Sequence, residues 1–556
     1  MLRYLLASTA ALAIAMPASA ETISTKVTTP LRTSTVKAGQ PDSITVNAQG
    51  SVVLTGGTAI TMDDDHSVTN QGTLSVTGAN GAAGIVALAG TTGDIVNSGT
   101  ITIDEAYTAA DSDNDGDVDG PFALGSNRYG IFTEGTHTGK VVHSGTILVE
   151  GNDSLGIGLG GPLTGEFRHD GKTTVVGDRS FGVRTGAING NVRLAGQVQV
   201  TGKDTVGARF GGDISGGLVV QGSIVSTGYR YPTPPASTAK LDADDLLQGG
   251  SAVVVEGSVN GGIILAVPPK ESNANNTDDD GDGIEDSKEG SAQVTTYGSA
   301  PAMVVGSTNR DIIIGPVLGT ASQFGLQVDG GIAGMGVYSG VEANGLFIGG
   351  RGGGVSIANG IGVAGSVTAN GNAANATALR LGAGATTPLL QVSGKVEAVG
   401  GNLAANTAVA VQVDQGANLP ILRNTGTIKA SAGGTTGSAT AILDKSGTLA
   451  LIENAGAIAA GGPAADSGRL VAIDLSANTA GATVRQTEVG AGFTAPTITG
   501  DIRLGAGNDG GKLPAVRLVR RPRRQDIGFP RFRIGLGFLG GRCEAHRNRL
   551  VARPLL

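Results

Sequence analysis

A glycine-centred unit recurs along the chain and limits the folds open to it more than any other feature. Six copies place one glycine within a run of alternating residues: VTNQGTLSV (68–76), IVNSGTITI (95–103), VVHSGTILV (141–149), FRHDGKTTV (167–175), VRLAGQVQV (192–200) and LVVQGSIVS (218–226). These glycines are 27, 46, 26, 25 and 26 residues apart, so one insertion interrupts a period near 26. The unit returns around Gly365, Gly394, Gly426 and Gly456. A fixed period of this length indicates a repeat architecture.

The apolar residues within each unit predict its local structure. The residue two positions after the glycine is apolar in nearly every unit, with Thr173 as an exception, and the residue four positions before it is apolar too. A further apolar cluster, such as GIVAL (84–88) or LGIGL (155–159), lies midway between glycines. Alternation on both sides of a small turn residue predicts two short strands with one buried face. Three short strands per period predict an all-β fold, the parallel β-helix (β-solenoid), whose coils bury their inner faces by stacking.

The period also sets the expected dimensions of the fold. Coils stack about 4.8 Å apart, so about fifteen of them form a rod on the order of 70 Å long. An array of β-sandwich domains is the alternative, but such domains need about 100 residues each, and the composition does not change on that scale.

Polar residues at the corner two positions before the glycine allow two interpretations. Asparagine occupies this position at Asn70, Asn97, Asn424 and Asn454, and histidine replaces it at His143 and His169. The asparagines are either ordinary turn residues or a hydrogen-bonded ladder between stacked coils. We interpret the two histidines as polar corner residues.

The N-terminus predicts export. Residues 1–20 combine a positive charge at Arg3, an apolar run over residues 5–16 and an Ala-Ser-Ala sequence at 18–20, which together form a secretory signal peptide. The apolar run is too short to span a bilayer. We therefore expect the mature chain to begin at Glu21. With a single cysteine, disulfides do not stabilise it.

The remainder divides at about residue 510. We assign residues 21–510 to the β-solenoid, with insertions at about 104–126, 229–250 and 268–290. Residues 511–556 contain eleven arginines and one lysine against two acidic residues, whereas residues 1–510 contain 27 basic and 45 acidic residues. This basic tail is either a genuine arm for an anionic surface or, as we favour, frameshifted or disordered sequence. We do not expect an exported protein to use it on nucleic acid.

Two of the insertions are rich in aspartate. The stretch DDDGDGIEDSKE (278–289) matches the twelve-residue calcium loop D-x-[DN]-x-[DN]-G-x5-E at its fixed positions. We expect calcium ligands at Asp278, Asp280, Asp282, Asp286 and Glu289, the last of them bidentate. The flanking residues do not form amphipathic helices, so the match is to the loop and not to an EF-hand. The alternative is a solvated acidic loop.

The stretch DSDNDGDVDG (111–120) offers a second set of oxygen ligands. Its candidates are Asp111, Asp113, Asp115, Asp117 and Asp119. Phe122 occupies the twelfth position of the pattern, where the bidentate ligand belongs, so we expect a weaker or differently closed calcium site. The third insertion (229–250) is rich in proline and polar residues and shows no metal pattern.

The composition favours binding over catalysis. The chain has no tryptophan, 3% aromatic residues and five scattered histidines, and it lacks the G-x-S-x-G, P-loop and C-x-x-C motifs. We therefore expect a non-catalytic surface or adhesin-like protein with no catalytic residues and no organic cofactor. The alternative is a β-helix enzyme that acts on polysaccharides, a lyase or a hydrolase.

Several features together resemble the passenger of a bacterial autotransporter (type V secretion). They are the export signal, the units NSGTI (97–101) and NTGTI (424–428), and GDIRLGAGND (500–509), so the resemblance covers residues 1–510. It implies a location at the cell surface or outside the cell, and contact with a surface ligand whose identity the sequence leaves open. In that family a C-terminal translocator barrel in the outer membrane follows the passenger. We expect this chain to lack that barrel and to reach the outer membrane only if a corrected reading frame restores it, so a periplasmic location is the alternative.

Overall fold

The computed structural model describes residues 20–114, 116–270, 276–279, 284–400, 406–434, 436–462 and 467–507, and the backbone of five strands between residues 510 and 554. Within these residues the regular elements are β-strands, apart from one 3-10 turn at Asp286–Lys288. Long parallel sheets confirm the parallel β-helix that the repeat predicts. The described residues include no helix that is long and apolar enough to cross a membrane.

Each coil passes through three parallel sheets in turn, and the first of them contains the residues that precede the repeat glycine. Sheet 1 is formed by Glu21–Ile23, Ile44–Val46, Val68–Asn70, Ile95–Asn97, Val141–His143, Phe167–His169, Val192–Leu194, Leu218–Val220, Ile263–Leu265, Leu326–Val328, Ile361–Val363, Leu389–Val392, Ile421–Asn424, Leu451–Asn454, Thr483–Gln486 and Gly510–Pro514.

The second sheet follows the glycine. Sheet 2 is formed by Lys26–Val27, Ser51–Leu54, Thr73–Thr77, Thr100–Asp104, Thr146–Glu150, Lys172–Val176, Gln197–Thr201, Ser223–Thr227, Gln293–Tyr297, Gly331–Met335, Ser366–Asn370, Lys395–Gly400, Thr427–Ala432, Ala457–Gly461 and the start of Thr497–Arg503.

The third sheet contains the midway apolar cluster. Sheet 3 is formed by Leu31–Arg32, Thr58–Met62, Ala83–Ala87, Tyr129–Thr133, Leu155–Leu159, Phe181–Thr185, Val206–Phe210, Val253–Val255, Pro301–Val305, Ala343–Ile348, Ala376–Leu381, Thr407–Val413, Ser438–Asp444, Leu470–Asp474 and the end of Thr497–Arg503. Short parallel ladders lie between sheets 3 and 1, at His137–Thr138, Leu163–Thr164, Ile188–Asn189, Ile312–Ile314, Val355–Ile357 and Ala385–Thr386.

The sense of strand pairing changes near residue 510. The strands Arg517–Leu518, Phe532–Gly535, Gly541–His546 and Arg549–Pro554 pair in antiparallel fashion. This change lies close to the boundary that the charge distribution predicts. That the tail is frameshifted or disordered sequence stays a prediction.

The inward side chains of the three sheets form one apolar core along the solenoid. The predicted apolar positions are buried: Ile95, Val141 and Phe167, four before the glycine, stack in register and are 0% exposed. Burying one such side chain contributes about 1.5–3 kcal/mol. Because each coil covers its neighbour, no single coil can keep this core dry alone.

The repeat glycines form a column in which successive backbones touch. A Cβ atom on Gly145 would lie 2.0 Å from the carbonyl oxygen of Gly99, and one on Gly171 would lie 2.3 Å from that of Gly145. Neither glycine has a positive φ. The column therefore requires glycine for close approach between coils and not for a left-handed turn.

Polar residues at the corner two positions before the repeat glycine form hydrogen bonds from coil to coil. Asn70 Nδ2 donates to Asn97 Oδ1 at 2.7 Å, and Asn97 Nδ2 donates to His143 Nδ1 at 2.9 Å. Farther along, Asn424 Nδ2 donates to Asn454 Oδ1 at 2.8 Å. The asparagine ladder is thus confirmed, and His143 extends it as a buried polar corner residue.

Candidate functional site

Two of the insertions leave the solenoid at the same corner, between sheets 2 and 3. The insertion at 104–126 follows Thr100–Asp104, and the one at 229–250 follows Ser223–Thr227. The insertion at 268–290 leaves at a different corner, between sheets 1 and 2. Hydrogen bonds join the first two insertions, although more than a hundred residues separate them in sequence.

The first acidic loop gathers three of its predicted ligands. One carboxylate oxygen from each of Asp111, Asp113 and Asp119 lies within 4.8 Å of the others. Asp119 Oδ2 accepts a hydrogen bond from the Ser112 hydroxyl at 2.7 Å, which lowers the pKa of Asp119. Asp117 is buried.

A fifth candidate of this loop, Asp115, lies outside the described residues. The three gathered aspartates offer the hard oxygen atoms that calcium prefers.

The insertion at 229–250 adds two carboxylates that the sequence pattern did not indicate. Asp242 and Asp244 lie with Asp119 in a second group whose oxygen atoms are within 4.8 Å of one another. Loss of surrounding water raises the pKa of Asp242, and so do the negative charges of Asp244 and Asp119. Crowding of this kind disfavours the charged carboxylates unless a cation neutralises them.

A set of contacts holds the two insertions together. The Gly120 amide donates to Asp244 Oδ2 at 2.9 Å, and Arg230 Nη2 donates to the Gly120 carbonyl at 2.6 Å. The Arg230 guanidinium also lies 4.8 Å from the centre of the Phe122 ring. Phe122, which stands where the calcium pattern needs a bidentate ligand, therefore packs against the neighbouring insertion.

The second acidic loop is described only in part, since Asp280 and Asp282 lie outside the described residues. Asp278 is described, and Asp286 begins the 3-10 turn and accepts a hydrogen bond from the Asp279 amide at 3.0 Å. Glu289 Oε1 accepts from Gln221 Nε2 at 2.9 Å and lies 3.9 Å from Arg193 Nη2. Glu289 thus anchors the end of the loop to the solenoid, and its role as a calcium ligand stays a prediction.

A cleft on the outer face of sheet 3 is a second candidate site. It has a volume of about 480 Å³, and a smaller cleft of about 300 Å³ adjoins it through the shared residue Arg209. The floor of the larger cleft includes Val254 and Val304, and its walls include Phe181 and Phe347. Because these valines are shorter than the phenylalanines on either side, they leave a depression in the surface.

The parallel register places the outward residues of this face in one column across eight coils. The column contains, in order, Phe132, Gly158, Arg184, Arg209, Val254, Val304, Phe347 and Arg380. Seven steps of about 4.8 Å make this column about 34 Å long. The face is therefore an extended strip along the solenoid axis.

The clefts contain more positive than negative charge. Glu256 is held between two arginines, with Arg209 Nη2 at 2.7 Å and Arg351 Nη1 at 3.2 Å. Arg380 pairs with Asp414 at the side, and its guanidinium lies 5.2 Å from the Phe347 ring centre.

One arginine of the clefts lies beside a ring instead of an acid. No described carboxylate forms an ion pair with Arg184, whose guanidinium lies 5.4 Å from the Phe181 ring centre. Among the described residues that line the clefts there are thus four arginines and a single carboxylate, that of Glu256.

Comparison with known proteins assigns this chain to no group: no protein-family model, no curated protein and no solved structure matches it.

Proposed function

We propose that this protein is an exported, non-catalytic, adhesin-like β-solenoid that resembles an autotransporter passenger and has calcium-ordered loops. The observation that best supports a binding role is the strip on sheet 3, where residues from eight successive coils, seven of them with side chains, form one outward column. A stacked core supports these side chains along its whole length. A surface of this shape suits weak contacts repeated along an extended ligand.

The environment of Glu256 favours binding over hydrolysis. Glycoside hydrolysis ordinarily uses two carboxyl groups, one of which gives up a proton while the other acts as base or nucleophile. Among the residues that line the described clefts, Glu256 is the single carboxylate, and two arginines hold it. The described lining of the clefts therefore offers one carboxyl group where hydrolysis ordinarily uses two.

The alternative, a β-helix enzyme acting on polysaccharides, has its own support. The same clefts join arginines, phenyl rings and one carboxylate on a β-helix face. In a lyase reaction Glu256 would accept the proton next to the carboxylate of a bound uronate sugar, an arginine would stabilise the resulting negative charge, and the glycosidic bond at the following carbon would break. Assays must therefore test for both activities.

Calcium is the proposed structural cation of the loops. Asp119 belongs to both acidic groups, so ions bound there would link the insertion at 104–126 to the one at 229–250. Extracellular calcium modules bind at about 10⁻⁴ to 10⁻³ M. Such affinity would order the loops after export and leave them without calcium inside the cell.

One experiment distinguishes the two functions. The full chain is tested for binding to glycans, matrix proteins and whole cells in calcium-containing buffer, and the same glycans are then examined for unsaturated or shortened products. Binding without product formation supports the adhesin-like role. Product formation that depends on the clefts supports the enzyme, and the absence of any binding contradicts the adhesin-like proposal.

A further inference from the structure

We infer that the strip on sheet 3 binds an acidic polysaccharide, a polymer of sugars with carboxylate or sulfate groups, lying along the solenoid axis. This inference deepens the proposed binding function and depends on it. The strip comprises the outward column from Phe132 to Arg380 together with the two clefts.

Charge is the first argument for an acidic ligand. The chain as a whole has a net charge of −8, yet the clefts contain four arginines, against Glu256 in the lining and Asp414 beside Arg380. A positive strip on an acidic protein attracts polyanions to that one place and disfavours their binding elsewhere. Guanidinium groups also match carboxylate and sulfate geometry through paired hydrogen bonds.

The side chain of Arg184 shows how the strip would engage such a group. Arg184 is exposed, and its guanidinium rests beside the Phe181 ring with no described carboxylate as partner. Arg209, its neighbour in the next coil, shares Glu256 with Arg351. Arg184 therefore keeps its donors available for a ligand, while the Glu256 pairs fix the guanidinium groups beside it.

Apolar surface in the strip is the second argument, because it suits sugar rings. Phe181 and Phe347 stand in the cleft walls, and Val254 and Val304 form part of the floor. The C–H faces of pyranose rings pack on apolar and aromatic surfaces, whereas a small inorganic anion gains nothing from them. Phe132 offers another ring at the far end of the column, in the adjoining cleft.

The backbone of sheet 3 favours a polysaccharide over an acidic peptide. A peptide that adds to a sheet uses the free main-chain groups of an edge strand. In this strip each strand already pairs with the coil before it and the coil after it, as Phe181–Thr185 does with Leu155–Leu159 and Val206–Phe210. Recognition must then come from side chains alone. A length of about 34 Å along the axis also fits a linear polymer better than a single small molecule.

The test measures binding of the full chain to polymers of matched length. A uronate polymer and a sulfated polymer form the acidic arms, dextran is the neutral polymer, and polyglutamate is the acidic peptide. We expect both acidic sugars, or one of them, to bind and to weaken as salt rises. A preference between the two arms identifies the group that is bound.

Two matched variants locate the site. Arg184→Gln removes an exposed guanidinium from the strip, and we expect affinity to fall about tenfold, as for loss of a charged hydrogen bond. Arg179→Gln removes an exposed arginine paired with Asp153, outside the residues that line the clefts. We expect this control to change affinity by less than about twofold. Circular dichroism verifies that both variants are folded.

The remaining outcomes overturn either this inference or the non-catalytic function, and they distinguish the two. Equal binding of dextran, equal or stronger binding of polyglutamate, or equal effects of the two substitutions would exclude an acidic-sugar site on this strip. Binding to cells without binding to either acidic polymer would overturn this inference and leave the adhesin-like function standing. Binding followed by cleavage would retain the ligand and overturn the non-catalytic function.

Discussion

The imidazole Nε2 of His169 lies 2.8 Å from the hydroxyl oxygen of Thr173, and both side chains are 0% exposed. Thr173 is the exception to the apolar pattern of the repeat, and it pairs in register with Ile147 and Val198 of the adjacent coils. The structure explains the exception, because the hydroxyl is the hydrogen-bond partner of a histidine buried in the next column. Each of these two buried polar residues thus supplies the other's hydrogen-bond partner.

Thr173→Val is expected to destabilise the protein by about 1–3 kcal/mol, because His169 loses its buried partner. The double variant His169→Leu with Thr173→Val is expected to recover most of this loss, since Leu194 and Val198 occupy the same positions in the next coil. Denaturant unfolding of the wild type, both single variants and the double variant measures the coupling. Additive effects of the two substitutions would contradict a direct interaction.

Stability is expected to fall in mild acid because of the buried histidines. Burial lowers the pKa of His143 to about 4, and burial together with the nearby His143 lowers that of His169 to about 3. An unfolded histidine has a pKa of about 6.5, so the unfolded state binds protons first. The contribution of these residues is therefore complete above about pH 6.5 and is lost as the pH falls towards 4.

The variant His143→Asn isolates this effect, because asparagine occupies the same column at Asn97. We expect it to flatten the pH dependence of the denaturant midpoint between pH 7 and 5 relative to the wild type. Paired carboxylates titrate equally in both proteins and cancel in the difference. Identical profiles for the two proteins would show that His143 is not the group responsible.

Gly145→Ala is expected to destabilise the solenoid by about 3 kcal/mol or more, because the new methyl group would lie 2.0 Å from the Gly99 carbonyl oxygen. Gly461→Ala is the matched control, since its nearest neighbour would be Ser431 Oγ at 3.8 Å. We expect the control to stay within about 1 kcal/mol of the wild type. Thermal melting of both variants tests the comparison, and equal melting temperatures would contradict close approach as the reason for the column.

The repeat predicted the core because stacking imposes the same side-chain direction on every coil. The apolar positions around Gly99 and Gly145, the asparagine pairs and the glycine column all follow from one register. The reason for the glycines did not follow, because a sequence shows the residue and not the distance between two backbones.

The strip and the contact between the insertions were harder to predict. Outward residues follow no apolar alternation, so the repeat pattern does not single out Arg184 and Arg209, although they stand 25 residues apart, one period. An alignment of the third strands Phe181–Thr185 and Val206–Phe210 places both arginines at the fourth position. The contact of Gly120 with Asp244 depends on both insertions leaving at one corner, which loop composition does not indicate.

Calcium is expected to stabilise the contact between the two insertions. If it binds with a dissociation constant of about 1 mM, an excess of about 10 mM calcium would add about 1.4 kcal/mol. Asp119→Asn should remove most of this gain, because Asp119 belongs to both acidic groups. Glu488→Gln, an exposed acidic residue outside both groups, is the charge-matched control. Melting temperatures with calcium and with chelator measure the effect, and an equal calcium response of both variants would contradict a site at Asp119.

Export is expected to produce a mature chain that begins at Glu21. The first strand, Glu21–Ile23, starts at that residue, and the Glu21 amide donates to the Ser43 carbonyl at 2.8 Å. Cleavage after Ala20 would therefore remove the signal peptide without cutting into sheet 1. Expression of the full gene in a Gram-negative host, followed by fractionation and N-terminal sequencing, tests this. Replacing Ala18 and Ala20 by large residues should retain the uncleaved chain at the inner membrane. A cytoplasmic chain with an intact N-terminus would contradict export and, with it, the proposed surface role.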